Sequence, residues 1–126
     1  MLEIKEQKLP YFILGAGSNS LVLDDFWPGA IVCLKNMKKW TVEENVLKAQ
    51  AGLENNELCQ IAYEHSLAGI SWMRGLPGQI GATCRMNARC YGGEISERVF
   101  EITTVCEDGK IHHYKDFKRK EIFRAY

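Results

Sequence analysis

The stretch that decides the fold is Tyr11-Phe12-Ile13-Leu14-Gly15-Ala16-Gly17-Ser18-Asn19-Ser20-Leu21-Val22-Leu23. Four apolar residues stop abruptly at Gly15, which predicts a buried strand over Tyr11–Leu14. Gly15 and Gly17 let the chain turn sharply and bring its N–H groups close to a ligand, where a β-carbon would collide. Ser18, Asn19 and Ser20 add side-chain donors, so the loop is equipped to surround a diphosphate without Lys or Arg. A Rossmann turn would need a third glycine where Ser20 stands and a helix after it. Leu21-Val22-Leu23 predicts a strand instead, and a P-loop is excluded because no Gly-Lys-Ser/Thr follows. A plain tight turn between strands is the alternative reading of these residues alone.

Outward from this loop, Ala30-Ile31-Val32-Cys33-Leu34 predicts another strand, set off by Asp24-Asp25 and Pro28-Gly29. Val46–Ala51 alternates apolar and polar residues before Gly52, as a strand wetted on one face does. After Gly52 the period changes. Leu58, Ile61, Ala62 and His65 share one face at helical spacing, with Asn55 as N-cap and Gly69 as the C′ stop. Val99–Cys106 and Ile111–Tyr114 flank Glu107-Asp108-Gly109-Lys110, where Asp-Gly predicts a hairpin with a type I′ turn. The basic tail Phe117–Tyr126 is read as helical or irregular. The class is α+β, a mixed sheet with one or two helices.

Bulk properties narrow the function. At 126 residues the chain supports one core. Sixteen basic residues balance sixteen acidic ones, so no net positive field exists to attract nucleic acid or an anionic membrane. No apolar run is long enough to span a bilayer, and Glu3, Lys5, Glu6 and Lys8 interrupt any secretory core at the start. Cys33, Cys59, Cys84, Cys90 and Cys106 are odd in number and contain no C-x-x-C pair, which argues for reduced cysteines, no zinc site and a cytoplasmic setting. Ile122-Phe123-Arg124-Ala125-Tyr126 ends in apolar residues with no polar tail, and the opening strand begins almost at once. Both ends read as those of a piece of a larger protein.

A second glycine cluster runs Gly75-Leu76-Pro77-Gly78-Gln79-Ile80-Gly81-Ala82-Thr83, followed by Met86-Asn87 and Tyr91-Gly92-Gly93. So many glycines suit no helix interior, where each costs about 1 kcal/mol against Ala. They imply a backbone laid against something flat or against another segment. Asn87 suits a left-handed backbone or a hydrogen bond to a heterocycle. His65 is read as a packed or capping histidine, and His112 and His113 as solvated neighbours on opposite strand faces. Trp27, Trp40 and Trp72 are core or rim aromatics. Lys118-Arg119-Lys120 is a solvated face, and Cys84 and Cys90 are small buried residues rather than flavin attachment points.

Ile13-Leu14-Gly15-Ala16-Gly17-Ser18-Asn19, then Leu76-Pro77-Gly78-Gln79-Ile80-Gly81-Ala82, then Met86-Asn87 and Tyr91-Gly92 resemble, in order and spacing, the UDP-N-acetylenolpyruvoylglucosamine reductases. These are flavoproteins of the vanillyl-alcohol-oxidase type, with a PCMH-type FAD-binding domain. The likeness runs from about Phe12 to the last residue. It implies that 1–126 is an FAD-binding domain lacking the family's first subdomain and its C-terminal substrate domain. It implies FAD as cofactor, with Gly15, Ala16, Gly17, Ser18, Asn19 and Ser20 on the diphosphate and Gly52 near the adenosine half. Pro77, Gly78, Gly81, Ala82, Asn87, Tyr91 and Gly92 would border the diphosphate or the isoalloxazine. It also implies NADPH as hydride donor, a UDP-sugar enolpyruvate as substrate and peptidoglycan precursor synthesis as the setting. Tyr126 would touch the substrate. The family's catalytic arginine would be the next residue, and its serine and glutamate would lie in the absent domain, so no turnover is expected from this chain alone. Arg89 departs from the pattern, standing where a glycine is expected. Another oxidoreductase of the same superfamily, or a non-catalytic nucleotide-binding module, are the competing readings.

Overall fold

The computed structural model describes residues 2–23 and 26–115. The turn residues Asp24-Asp25, the basic tail and Tyr126 therefore lie outside the described residues. Element by element, the chain runs α1 (Leu2–Glu6), β1 (Tyr11–Leu14), β2 (Ala30–Cys33), β3 (Trp40–Glu43), β4 (Val46–Ala49), α2 (Asn55–Glu64), α3 (Ile80–Arg85), β5 (Arg89–Cys90), β6 (Gly93–Glu94), β7 (Glu101–Val105) and β8 (Ile111–Lys115). One-turn 3₁₀ segments occupy Ser71–Met73 and Ile95–Glu97. β1 and β2 pair in parallel, and β3–β4, β5–β6 and β7–β8 are antiparallel pairs. The mixed α+β expectation holds, with a third helix beyond the one or two anticipated.

The core is built by α2. Leu58, Cys59, Ile61 and Ala62 are buried on its inner face, and Leu58, Cys59 and Ile61 meet Leu53, Met73, Ile80 and Ile95. This apolar stripe at 3.6-residue spacing is what the sequence pattern promised. The helix starts differently from expectation. Glu54 is the N-cap and makes no side-chain cap bond, while Asn55 is the first helical residue and wholly buried. Its amide is committed to tertiary contacts rather than to orphan N–H groups of the first turn. At the other end, Ser66 takes the left-handed conformation (φ 56°) and Leu67 N–H bonds Ala62 O, so the helix stops before Gly69. The His65 ring bonds Ile61 O at 2.9 Å and meets Trp40 edge-on, the packed capping role anticipated for it.

Two strand expectations are corrected. Leu21-Val22-Leu23 form no strand; Leu21 is 92 % exposed and no described segment pairs with them. β1 is a strand but not a buried one: Phe12 and Ile13 are half exposed, because a two-stranded β1–β2 ribbon offers no second layer to cover them. The β7–β8 hairpin is present with Val105 opposite Ile111. Its loop is longer than the type I′ turn expected. Cys106 and Lys110 still pair, and only Gly109 (φ 79°) is left-handed, as in a three-residue loop with a bulge. Tyr11 donates to Glu107 at 2.9 Å, tying β1 to this loop and raising the Tyr11 pKa.

A series of backbone hydrogen bonds positions the two glycine clusters. Leu34 N–H donates to Leu14 O (3.3 Å), Met37 N–H to Leu34 O (2.9 Å) and Gly52 N–H to Met37 O (2.9 Å). Gly81 N–H then donates to Ala51 O (3.0 Å), Ile80 N–H to Leu53 O (2.8 Å) and Asn55 N–H to Gly78 O (3.0 Å). Residues 51–55 thus run antiparallel to 78–81, with Glu54 bridging Gln79. The end of β1 and the start of α3 are fastened to the same strip of backbone.

Candidate functional site

The loop after β1 is a turn closed by Ser20 N–H donating to Gly17 O at 3.1 Å. Gly17 has φ 76°, a backbone that L side chains rarely adopt, and a β-carbon there would meet open space. Among the described residues, the N–H groups of Ala16, Gly17, Ser18 and Asn19 have no backbone acceptor, and the side chains of Ser18, Asn19 and Ser20 are exposed. These are unspent donors concentrated in four residues, the arrangement an anionic diphosphate requires where no lysine or arginine is built into the loop.

The second bend lies directly against this loop. A β-carbon built on Gly78 (φ 114°) would stand 3.1 Å from Ser18 Oγ. One built on Gly15 would stand 3.3 Å from Gln79 Oε1 and 3.5 Å from the Ala82 β-carbon. Gly15, Ala16, Gly17, Ser18, Asn19 and Ser20 are therefore assembled with Pro77, Gly78 and Ala82 into one surface, with Pro77 and Ala82 exposed on it.

Other expected site residues are differently employed. Gly52 is buried, and a β-carbon there would overlap the Leu34 carbonyl, so protein packing explains that glycine. Gly81 sits within α3, where the Ala51 β-carbon would lie 2.6 Å from its own, and its N–H is spent on Ala51 O. The second cluster thus contains a short helix that its glycine content argued against, and Gly81 offers a ligand no amide. Asn87 is left-handed (φ 46°), but its side chain bonds Glu94 Oε1 (2.6 Å) and Ser96 N–H (3.3 Å), leaving no free end for a heterocycle. Tyr91 (φ 47°) and Gly92 (φ 81°) form the two-residue turn between β5 and β6, the two left-handed positions a type I′ turn needs. Tyr91 projects into solvent at 87 % exposure. Arg89 is explained: its Nε pairs with the buried Glu94 carboxylate at 2.9 Å, and Glu94 also accepts from Ser96 Oγ at 2.5 Å.

Sequence reasoning missed the polar side chains behind the bend. Asn55 Nδ2 donates to Leu76 O (3.4 Å), and Thr83 Oγ1 donates to Asn55 Oδ1 (3.0 Å), all beneath the Gly78 turn. Gln79, 3 % exposed, has its Oε1 buried with no hydrogen-bond partner. The only signal for them was a polar residue inside an otherwise glycine-apolar run. Cys84 lies on α3, packed against the core, and burial pushes its thiol up to about 11. Burial also raises Cys59, with Arg74 opposing. At pH 8 the Cys84 thiolate fraction is roughly a hundredfold below that of an ordinary cysteine. Iodoacetamide at pH 8, followed by peptide mass mapping, should modify the exposed Cys33 while sparing Cys84 on the same timescale. Equal labelling of the two would contradict an inert Cys84.

No helix among the described residues is long and apolar enough to cross a membrane. The profile of the FAD binding domain family matches residues 1–115. The UDP-N-acetylenolpyruvoylglucosamine reductase of Borreliella burgdorferi is 40 % identical over 120 residues, which cover 92 % of this chain and 38 % of that protein. The reductase of the same name from Clostridium novyi is 37 % identical over 107 residues, 85 % of this chain and 35 % of the relative. The crystal structure of UDP-N-acetylenolpyruvylglucosamine reductase from Thermus caldophilus superposes with a TM-score of 0.70 at 29 % identity, over 90 % of this chain and 41 % of that one. The chain spans less than half the length of these relatives. With two glycine bends abutting and the amides of the first unspent, and with the family profile matching from residue 1 to 115, the chain belongs to the FAD binding domain family.

Proposed function

We propose that this chain is the cofactor-holding part of a flavin-dependent reductase that converts UDP-N-acetylglucosamine enolpyruvate to UDP-N-acetylmuramate, with NADPH as hydride source, in cytoplasmic peptidoglycan precursor synthesis. The observation that carries the reading is the contact between Ser18 and Gly78, which makes one anion-ready surface from two distant bends. In this reading the N–H groups of Ala16, Gly17, Ser18 and Asn19, with the hydroxyls of Ser18 and Ser20, hold the FAD diphosphate, and Gly15 lets the ligand approach. Pro77, Gly78 and Ala82 form the facing wall, and Tyr91-Gly92 the exposed rim. Gly52 and Gly81 serve from behind by letting the supporting backbones touch. The bound flavin supplies the hydride chemistry. The chain's own residues fix where the cofactor sits. The relatives' shared name supports the substrate, and Tyr126 would reach it.

In this reading the chain as it stands should take up FAD and yet show no NADPH-dependent reduction of the UDP-sugar enolpyruvate, because the acid and anion-stabilising groups of the chemical step would lie in the part of the relatives that it does not span. Flavin absorbance after gel filtration, followed by a coupled NADPH assay, measures both. A chain that binds no FAD at micromolar concentration would defeat the cofactor reading. Turnover at enzyme-like rates would defeat the division of labour.

A further inference from the structure

Among the described residues, Gln79 carries the one buried side-chain polar atom without a hydrogen-bond partner. Its neighbours are satisfied: Asn55 and Thr83 bond each other, and the backbone carbonyl of Gln79 accepts from Thr83 N–H. Its carboxamide oxygen is enclosed and has no donor. Buried acceptors are almost always paired, and an exception calls for a missing partner or a functional reason. Gly15 lies against the oxygen on the loop side: the point where a Gly15 side chain would begin is 3.3 Å away. The loop beside it is the one whose amides are uncommitted.

We propose that Gln79 is a cofactor-binding residue, its Oε1 accepting a hydrogen bond from a sugar-alcohol hydroxyl adjoining the diphosphate of the bound dinucleotide. The inference rests on the FAD reading above and adds to it a specific side-chain contact. Two hydroxyl-bearing arms flank a flavin dinucleotide's diphosphate, the ribityl arm and the adenosine ribose, and both present the same donor. Loading the site would satisfy an acceptor that the unloaded chain leaves unpaired, so Gln79 costs stability before binding and supports affinity after it.

Gln79→Met tests this, because methionine keeps the length and the fill but removes the acceptor. The FAD dissociation constant, read by quenching of flavin fluorescence, should rise about 10- to 100-fold, the usual effect of leaving a buried donor unpaired. In the same variant the melting temperature without cofactor should equal or exceed that of the parent chain. This opposition of signs separates a binding residue from a merely structural one, which would lower both. Gln79→Asn, which keeps an acceptor on a shorter arm, should fall between the two. FMN and ADP titrations assign the donor: a penalty shared by FMN points to the ribityl arm and one shared by ADP to the ribose. If the parent chain binds FAD and Gln79→Met binds it equally well, the inference falls and the cofactor reading stands. If Gln79→Met lowers the melting temperature without cofactor along with affinity, Gln79 is structural. If the parent binds no FAD, both fall together.

Discussion

Gly17→Asp is expected to weaken FAD binding at least about a hundredfold while leaving the fold intact. The position is left-handed, with φ 76°, and a β-carbon there meets nothing within 4 Å. Sterically the aspartate is admitted, and the cost of its backbone conformation is about 1 kcal/mol, since Asp tolerates this region better than most residues. The damage is electrostatic. A carboxylate a few ångströms from a diphosphate, at an effective dielectric near 20, costs roughly 3–4 kcal/mol, or two to three orders of magnitude in affinity. Gly17→Asn separates the two contributions, because it carries the same shape and backbone demand without the charge, and should stay within about tenfold of the parent. Fluorescence titration of both variants, with melting curves of the unloaded chains, measures it. Equal losses for Asp and Asn would mean that geometry, not charge, governs this turn. No loss for either would remove the diphosphate from this loop.

Why this turn was visible in the sequence, while the rest of the site was only partly so, has a physical answer. A glycine pair that breaks an apolar run records a local backbone requirement, and Gly15 and Gly17 carried it. Local patterns also gave β2, β4, the inner face of α2 and the β7–β8 hairpin. What local patterns do not record is partnership. Leu21-Val22-Leu23 have the composition of a strand, but composition cannot supply the neighbour whose N–H and C=O groups would make them one. β3 was hidden because Trp40-Thr41-Val42-Glu43 is half polar and owes its state to pairing with β4. α3 was hidden because Gly81 argues against helix on propensity, and the tertiary requirement that Ala51 lie against it overrides that preference. The site itself depends on the relay Leu14–Leu34–Met37–Gly52 and on the pairing of 51–55 with 78–81, a set of backbone bonds that local composition does not announce beyond the glycines at 52 and 81 that let the backbones approach. The likeness to a known family could carry residue positions across that gap. It could not foretell that Asn87, Gly52 and Gly81 are occupied by the protein's own packing.

Asn55 shows the same limit most sharply, and it carries the second large effect. At the start of a helical pattern an Asn suggests a cap, whose removal costs about 1 kcal/mol. Here it is wholly buried and joins Leu76 O to Thr83 Oγ1, holding the backbone of the Gly78 bend from below. Asn55→Ala leaves a cavity, an unpaired carbonyl and an unpaired hydroxyl, and should lower the unfolding free energy by about 2–3 kcal/mol, two to three times the capping value. The shared bond predicts non-additivity: Thr83→Val should cost clearly less in the Asn55→Ala background than in the parent, because its acceptor is already gone. Asn55→Asp adds a pH signature. A buried carboxylate facing the Leu76 carbonyl is destabilised as an anion, so its pKa is raised on folding. The acid form can still donate to Leu76 O, so stability is present below the unfolded pKa and lost as pH rises through the folded one. The deficit of Asn55→Asp against the parent should therefore shrink as pH falls from 7 toward 5, whereas that of Asn55→Ala should not. Urea unfolding of the single variants and of the Asn55→Ala, Thr83→Val double variant at both pH values decides it. A flat pH dependence for Asn55→Asp, or strict additivity with Thr83→Val, would mean that the Gly78 bend is held by its glycine and proline geometry and the Asn55–Gly78 backbone bond alone.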